Sequence, residues 1–131
     1  MPHPRTSRPN AEDFWETGLV IMGRNNARAT EKTLTAHFIS FFGCEPTFIS
    51  ILWFLLDRSG WLKYQKTVEA RHLLWTLHFL KVYSTERVSA IAVKCDEKTF
   101  RETVLFMLKG IAKLDNLLVR TLIYTQYYLS F

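Results

Sequence analysis

Apolar residues recur at the three- and four-residue spacing of an α-helix through most of this sequence, and no other feature constrains the fold as strongly. In residues 97–114, the apolar residues that share one helix face are Phe100, Val104, Met107, Leu108 and Ile111. Further helical patterns occupy residues 33–42, 46–58, 71–83 and 85–94. The sequence therefore predicts an all-α fold, a small bundle of about five helices.

The domain organisation follows from where these patterns begin and end. The first ten residues hold three prolines and two arginines, and the apolar stretch 18–23 fits either a strand or a docked turn. We therefore predict a loose N-terminal segment over residues 1–31 and a helical domain over 32–115. Residues 116–131 form an apolar C-terminal tail without a clear period. The segment 46–58 is apolar nearly all round, which predicts a helix at the centre of the bundle.

The positive charge of the chain is concentrated in its second half. The formal net charge is +5, and residues 63–113 carry ten Lys and Arg against five Asp and Glu. Such a region fits nucleic acid, an anionic surface or an acidic protein as a partner. In the helix predicted at 71–83, the basic residues Arg71, His78 and Lys81 fall in one narrow sector. That spacing predicts either a solvated polar stripe or a phosphate contact.

Motifs of the common hydrolases and nucleotide-binding proteins are missing from the sequence. It has no GxSxG, no Walker-type loop and no HExxH. Cys44 and Cys95 lie far apart outside any CxxC pair, which predicts reduced thiols and no zinc site. Cys95 precedes a predicted helix, a position that favours a lowered thiol pKa. We expect no catalytic residue, no metal ligand and no cofactor.

Two features of the sequence bear on membranes and secretion. The first ten residues, MPHPRTSRPN, lack the apolar centre of a secretory signal. The longest apolar run, residues 48–56, is far shorter than the ~20 residues that a membrane-spanning helix needs. We therefore expect a soluble intracellular protein with no membrane partner.

Residues 85–113 have the pattern of a helix-turn-helix. Thr85 is a plausible N-cap for the first helix, and Ala90 is the small residue that this motif places against its partner helix. The turn is Lys94-Cys95-Asp96, in which Asp96 caps the second helix by accepting a backbone N–H bond. Glycine is usual where Lys94 stands, because a left-handed backbone is needed there. Phe100 and Val104 are expected to be buried.

The candidate DNA-binding residues surround this turn. Lys98, Thr99 and Arg101 are expected to face the major groove, because the N-terminal part of the second helix meets base edges in this motif. The predicted phosphate contacts are Arg87, Lys94 and Lys109. The neighbouring Glu97 and Glu102 are acidic and would repel phosphate. From these residues alone, DNA recognition and a structural corner of a helical bundle both remain open.

The order of several short motifs resembles the N-terminal region of Harbinger-type transposases, in which a helix-turn-helix precedes a DDE superfamily endonuclease domain. The resemblance covers residues 33–115. It is carried by Phe41–Gly43, His72–Trp75, Leu77, Phe79–Lys81, Tyr83, Thr85–Glu86 and Asp96–Arg101.

This resemblance implies a nuclear protein that binds duplex DNA without cutting it. Catalysis in that family uses separated carboxylates that hold two metal ions, and the last acidic residue here is Asp115. The chain is therefore similar to a truncated transposase without its nuclease domain. The partners implied are duplex DNA and the full-length transposase. Independently of the resemblance, the apolar tail either packs back on the bundle in part or is exposed, and an exposed tail would favour self-association with a second copy of the chain. The alternatives are a helical protein-interaction module and a non-functional transposon relic.

Overall fold

The protein is a bundle of α-helices, described here from a computed structural model. The model describes residues 9–26, 28–65, 67–82 and 85–129, with side chains described as far as Leu114. Within these ranges the α-helices are α1 (Ala11–Met22), α2 (Glu31–Phe42), α3 (Pro46–Arg58), α4 (Ala70–Val82), α5 (Glu86–Ala92) and α6 (Glu97–Leu129). A short 3-10 helix, Trp61–Tyr64, lies between α3 and α4. The predicted all-α fold is confirmed.

Helix α4, and not α3, occupies the centre of the bundle. It contacts α1, α2, α3, α5 and α6, and its buried residues are His72, Leu73, Leu74, Trp75, Thr76 and His78. The prediction of a central α3 was wrong. Phe48, Ile51 and Phe54 on its outer face are 56%, 51% and 39% exposed. Helix α3 therefore leaves this outer face largely exposed, although its composition is apolar all round.

Helix α1 belongs to the core, so the prediction of a loose segment was wrong for residues 11–22. Asn10 and Asp13 form a capping box, in which each side chain accepts the other's backbone N–H at 2.9 and 2.8 Å. Phe14 is fully buried, with its ring 6.2 Å from that of Trp53 on α3. The stretch 18–23 is the end of α1 and its Gly23 cap, neither a strand nor a docked turn.

Gly110 lets the 3-10 helix approach α6 closely. The Trp61 indole donates from Nε1 to the backbone oxygen of Phe106 at 2.9 Å, and its ring stacks on that of Phe106. A Cβ atom at residue 110 would lie 2.4 Å from Trp61 Cδ1, far inside van der Waals contact. Glycine in the middle of a helix costs roughly 1 kcal/mol relative to alanine. The close approach of Trp61 explains why glycine occupies this position despite its energetic cost.

Helix α6 is longer than the sequence pattern predicted. The apolar period supported a helix as far as Leu114, whereas the backbone remains helical through Leu129. Its 33 residues correspond to a length of about 50 Å. The apolar tail predicted at 116–131 is thus helical in backbone as far as residue 129. How its side chains pack lies outside the described residues.

Helices α2 and α3 are joined by a sharp bend. Gly43 ends α2 in the left-handed conformation, with φ of 87°, and Pro46 begins α3. Within the described residues, no single helix has the length and apolar character to cross a bilayer. Helices α2 and α3 have that length and apolar character only when they are taken together, and the pair is bent by 44°.

His72 caps the start of α4 with its side chain. The backbone N–H of Glu69 donates to His72 Nδ1 at 2.9 Å, so Nδ1 must be unprotonated. Burial, with a smaller effect from the Arg71 guanidinium, lowers the pKa of His72 from 6.5 to about 4, against an opposing effect of the Glu69 carboxylate. The neutral imidazole is therefore the form that stabilises the native state.

The exchange Gly110→Ala should destabilise the protein, although alanine is the better helix former. We expect a loss of about 1–3 kcal/mol in the free energy of unfolding, because the new methyl group overlaps the Trp61 ring. In a Trp61→Ala background the same exchange should cost at least about 1 kcal/mol less, because the closest contact of the new Cβ is then the flexible Leu56 side chain at 3.0 Å. Urea denaturation of the four proteins measures both values. An equal loss in both backgrounds would contradict the proposed contact.

Stability should fall as the pH is lowered from about 6.5 to 4, because the unfolded chain binds a proton at His72 before the folded protein does. Above pH 6.5 the contribution of neutral His72 to the free energy of unfolding is fully present, and it amounts to at most about 3 kcal/mol. The control is His72→Gln, since a glutamine at this position can still accept from the Glu69 N–H and does not titrate. Urea denaturation between pH 4 and 7.5 should show a shallower pH dependence for the variant. Identical slopes for the two proteins would refute this role for His72.

Candidate nucleic-acid interface

Helices α5 and α6 meet at a corner closed by backbone hydrogen bonds. The N–H of Cys95 donates to the carbonyl of Ala90 at 2.9 Å, and that of Lys94 donates to the carbonyl of Ile91 at 3.1 Å. This pair of bonds is a Schellman motif, and its left-handed residue is Lys94, with φ of 59°. The left-handed backbone expected at Lys94 is therefore present without the usual glycine.

The start of α6 is capped from within the turn. Asp96 Oδ2 accepts the backbone N–H of Thr99 at 2.9 Å, as the sequence predicted. Hydrogen bonds from the backbone and side chain of Thr99 hold the pKa of Asp96 below its ordinary value. The first helix, α5, is capped in the same way by Thr85, which accepts from Val88 N–H at 3.2 Å.

A small apolar cluster holds the corner on α4. Ala90, Phe100 and Val104 are buried, as expected, and they pack with Trp75 of α4. The Trp75 and Phe100 rings are stacked with their centroids 6.1 Å apart. Because this cluster covers the inner face of α6, the opposite face of its first turns is left exposed.

The predicted DNA-binding residues differ in whether their charge is paired. Lys94, Lys98, Thr99 and Lys109 are all exposed. The three lysines form no ion pair with another described residue. Lys98 and Lys109 lie on the same side of α6, because eleven residues complete about three helical turns. They are separated by about 16 Å along the helix axis, so each would meet a different phosphate.

Arg101 is held by two carboxylates. Its Nε lies 2.5 Å from Glu86 Oε2 of α5, and its Nη2 lies 3.3 Å from Glu97 Oε1. The bond and the charge of Glu86 raise the pKa of Arg101. Arg87 also approaches Glu97, at 3.7 Å, with its side chain 79% exposed. The fold thus brings Arg87 and Arg101 together around one shared acidic partner, Glu97.

Glu86 is the residue whose role the sequence did not reveal. The partnership of Glu97 and Arg101 follows from their four-residue spacing on a helix. Glu86 lies fifteen residues from Arg101 and meets it only because the corner folds α5 against α6. No local sequence pattern identifies such a contact.

Two further expectations were wrong. The pKa of Cys95 is raised, not lowered, because of partial burial and the adjacent Asp96 carboxylate. The basic stripe on α4 is interrupted, because His78 is only 7% exposed and its ring stacks on Phe41 at 3.8 Å. Arg71, for its part, pairs with Glu69 at 2.9 Å. Helix α4 therefore has no continuous cationic edge.

Comparison with known proteins identifies no relative. No protein-family model, no curated protein and no solved structure matches the chain. Among the residues whose side chains are described, no group of three or more His, Cys, Asp or Glu could hold a metal ion.

Replacing Lys94 with glycine should stabilise the protein. A lysine in the left-handed conformation is strained by roughly 1–2 kcal/mol, whereas glycine adopts it freely but loses more backbone entropy on folding. The expected gain is about 1 kcal/mol in the free energy of unfolding, measured by urea denaturation. The matched control is Lys98→Gly, which should destabilise by about 1 kcal/mol because residue 98 is helical. A loss of stability in Lys94→Gly would contradict the Schellman geometry.

Proposed function

We propose that this protein binds duplex DNA through a helix-turn-helix formed by α5, the turn and α6. The single observation that carries the proposal is the capped corner, which leaves Lys98 and Thr99 exposed at the start of α6. In this class of motif, that part of the second helix enters the major groove. The resemblance to the N-terminal region of Harbinger-type transposases supports the same assignment and a nuclear location. The proposed activity is binding alone, without cleavage of DNA.

The exposed lysines would make most of the contacts. Thr99 would lie in the groove, Lys98 would lie at its edge and contact a phosphate there, and Lys94, Lys109 and Arg87 would contact phosphates on either side of it. Arg101 would need to exchange Glu86 and Glu97 for a base edge or a phosphate, and this exchange lowers its net gain from DNA. Glu86 and Glu97 would therefore restrain affinity rather than contribute to it.

A second candidate function is protein binding through the outer face of α3. Phe48, Ile51 and Phe54 form a stripe of exposed large apolar side chains there, three residues apart. Apolar surface of this kind often marks a contact with another protein. This candidate, a helical interaction module, predicts a molecular size that increases with protein concentration and no shift of duplex DNA in a gel.

The DNA-binding proposal predicts an affinity that depends strongly on salt. Four phosphate contacts, by Lys94, Lys98, Lys109 and Arg87, would give a slope of about −3.6 for log affinity against log salt. Fluorescence anisotropy with a labelled random duplex measures this slope between 50 and 200 mM salt, a range of about fourfold. Lys98→Gln should reduce its magnitude by about one, because one phosphate contact is lost. The matched control is Lys32→Gln on α2, which removes the same charge away from the corner and should leave the slope nearly unchanged.

The ion pair between Glu86 and Arg101 provides a second test, because it exists only in the folded corner. Glu86→Gln releases Arg101 from its shortest ion pair, so DNA affinity should rise. Glu16→Gln on α1 makes the same change in net charge and should raise affinity less. A slope indistinguishable from zero, or equal effects of the two Glu→Gln exchanges, would count against binding at this corner.

A further inference from the structure

A groove opens on the side of the bundle where the end of α1 meets α2 and α4. Its volume is about 320 Å³, within the range of small-molecule sites. Met22, Phe41 and Val82 supply an apolar wall. The polar groups that line the groove are Arg24, His37, Ser40 and His78. None of the lining residues is acidic, so the charge of Arg24 is not balanced within the groove.

The backbone at the end of α1 directs Arg24 into this groove. Gly23 is left-handed, with φ of 72°. Its N–H donates to the carbonyl of Val20 at 3.0 Å, and the N–H of Arg24 donates to the carbonyl of Leu19 at 2.8 Å. These bonds form a Schellman motif, in which the position of Arg24 is commonly apolar and packs back on its own helix. Here a guanidinium occupies that position.

Arg24 also has an unusual environment for an arginine. Its Nε is shielded from water and has no hydrogen-bond partner among the described residues. By contrast, Arg71, Arg87 and Arg101 all pair with carboxylates. The guanidinium of Arg24 forms no ion pair with another described residue, so an anion that reaches its terminal nitrogen atoms would stabilise it.

His78 adds a second polar group to the same groove. Its Nδ1 lies 3.0 Å from the backbone oxygen of Phe41, which can only accept, so Nδ1 carries a proton. Its Nε2 has no hydrogen-bond partner within the described part of the chain. In this tautomer Nε2 is an acceptor, so it can accept a hydrogen bond from a ligand hydroxyl.

We propose that this groove binds a small organic anion, in which an apolar or aromatic body carries a carboxylate or a phosphate group. The guanidinium of Arg24 binds the anionic group through charge-assisted hydrogen bonds from its terminal nitrogen atoms. The Ser40 hydroxyl donates to one of the remaining oxygens, and His78 Nε2 accepts from a ligand hydroxyl where the anionic group carries one. The apolar body packs against Met22, Phe41 and Val82. This site lies on α1, α2 and α4 and is independent of the proposed DNA contacts.

The direct test observes the Arg24 Nε–Hε signal by two-dimensional ¹H–¹⁵N NMR of the full chain. The probes are phenyl phosphate and benzoate, which distinguish the two anionic groups, and benzyl alcohol, which has the ring without the charge. At least one anion should shift the Arg24 signal saturably and bind about tenfold more tightly than benzyl alcohol. The proposal would be overturned if benzyl alcohol shifted the Arg24 signal as much as the anions do, or if none of the three probes shifted it.

Variants separate the site from general attraction of anions to a basic protein. Arg24→Met should weaken anion binding about tenfold, whereas Arg28→Met, in the same connection but outside the groove, should not. Val82→Glu provides a test that does not disturb the interior, because Val82 is 44% exposed. It should weaken binding of the anion by charge repulsion about tenfold more than the uncharged Val82→Gln does, because both exchanges remove the same apolar contact and only one adds a negative charge. Equal losses in Arg24→Met and Arg28→Met would show nonspecific attraction and refute the site.

Discussion

The bundle depends on the burial of α4 on nearly all sides, and this burial is possible because His72, Thr76 and His78 each make a hydrogen bond within the protein. His72 accepts from the N–H of Glu69, and Thr76 donates to the carbonyl of His72 at 2.9 Å. His78 donates to the carbonyl of Phe41, at the end of α2. An unpaired polar group at these positions would cost roughly 1–3 kcal/mol. With these bonds made, α4 can contact five other α-helices and hold both apolar clusters together.

The corner of α5 and α6 combines a geometry suited to DNA with a charge distribution that restrains it. The Schellman motif at Lys94 and the cap at Asp96 fix the corner, while Trp75 and Phe100 anchor it on α4. Glu86 and Glu97 then neutralise Arg101, the residue best suited by chemistry to read a guanine. The lysines remain free, so the proposed binding rests on phosphate contacts more than on base recognition. Such an interface would discriminate weakly between DNA sequences.

The sequence predicted much of the fold and less of the candidate site. Five of the helices, the cap at Asp96 and the left-handed backbone at Lys94 follow from spacing and capping rules, which act over a few residues. The helix α1 was missed because two glycines and nearby prolines obscured a short apolar pattern. The central position was assigned to α3 because an apolar composition does not specify which faces will find a partner.

By itself, the sequence determined the all-α class, the order of the helices from α2 to α6 and the placement of the polar turn between α5 and α6. Periodicity, caps and turn residues act locally, so they can be recognised without knowledge of the fold. Only the tertiary structure decided that Glu86 binds Arg101, that His78 stacks on Phe41 and that Trp61 lies against Gly110. Each of these contacts joins residues at least fifteen positions apart. Which distant groups meet depends on how whole helices pack, because packing selects among many faces that are similar in composition.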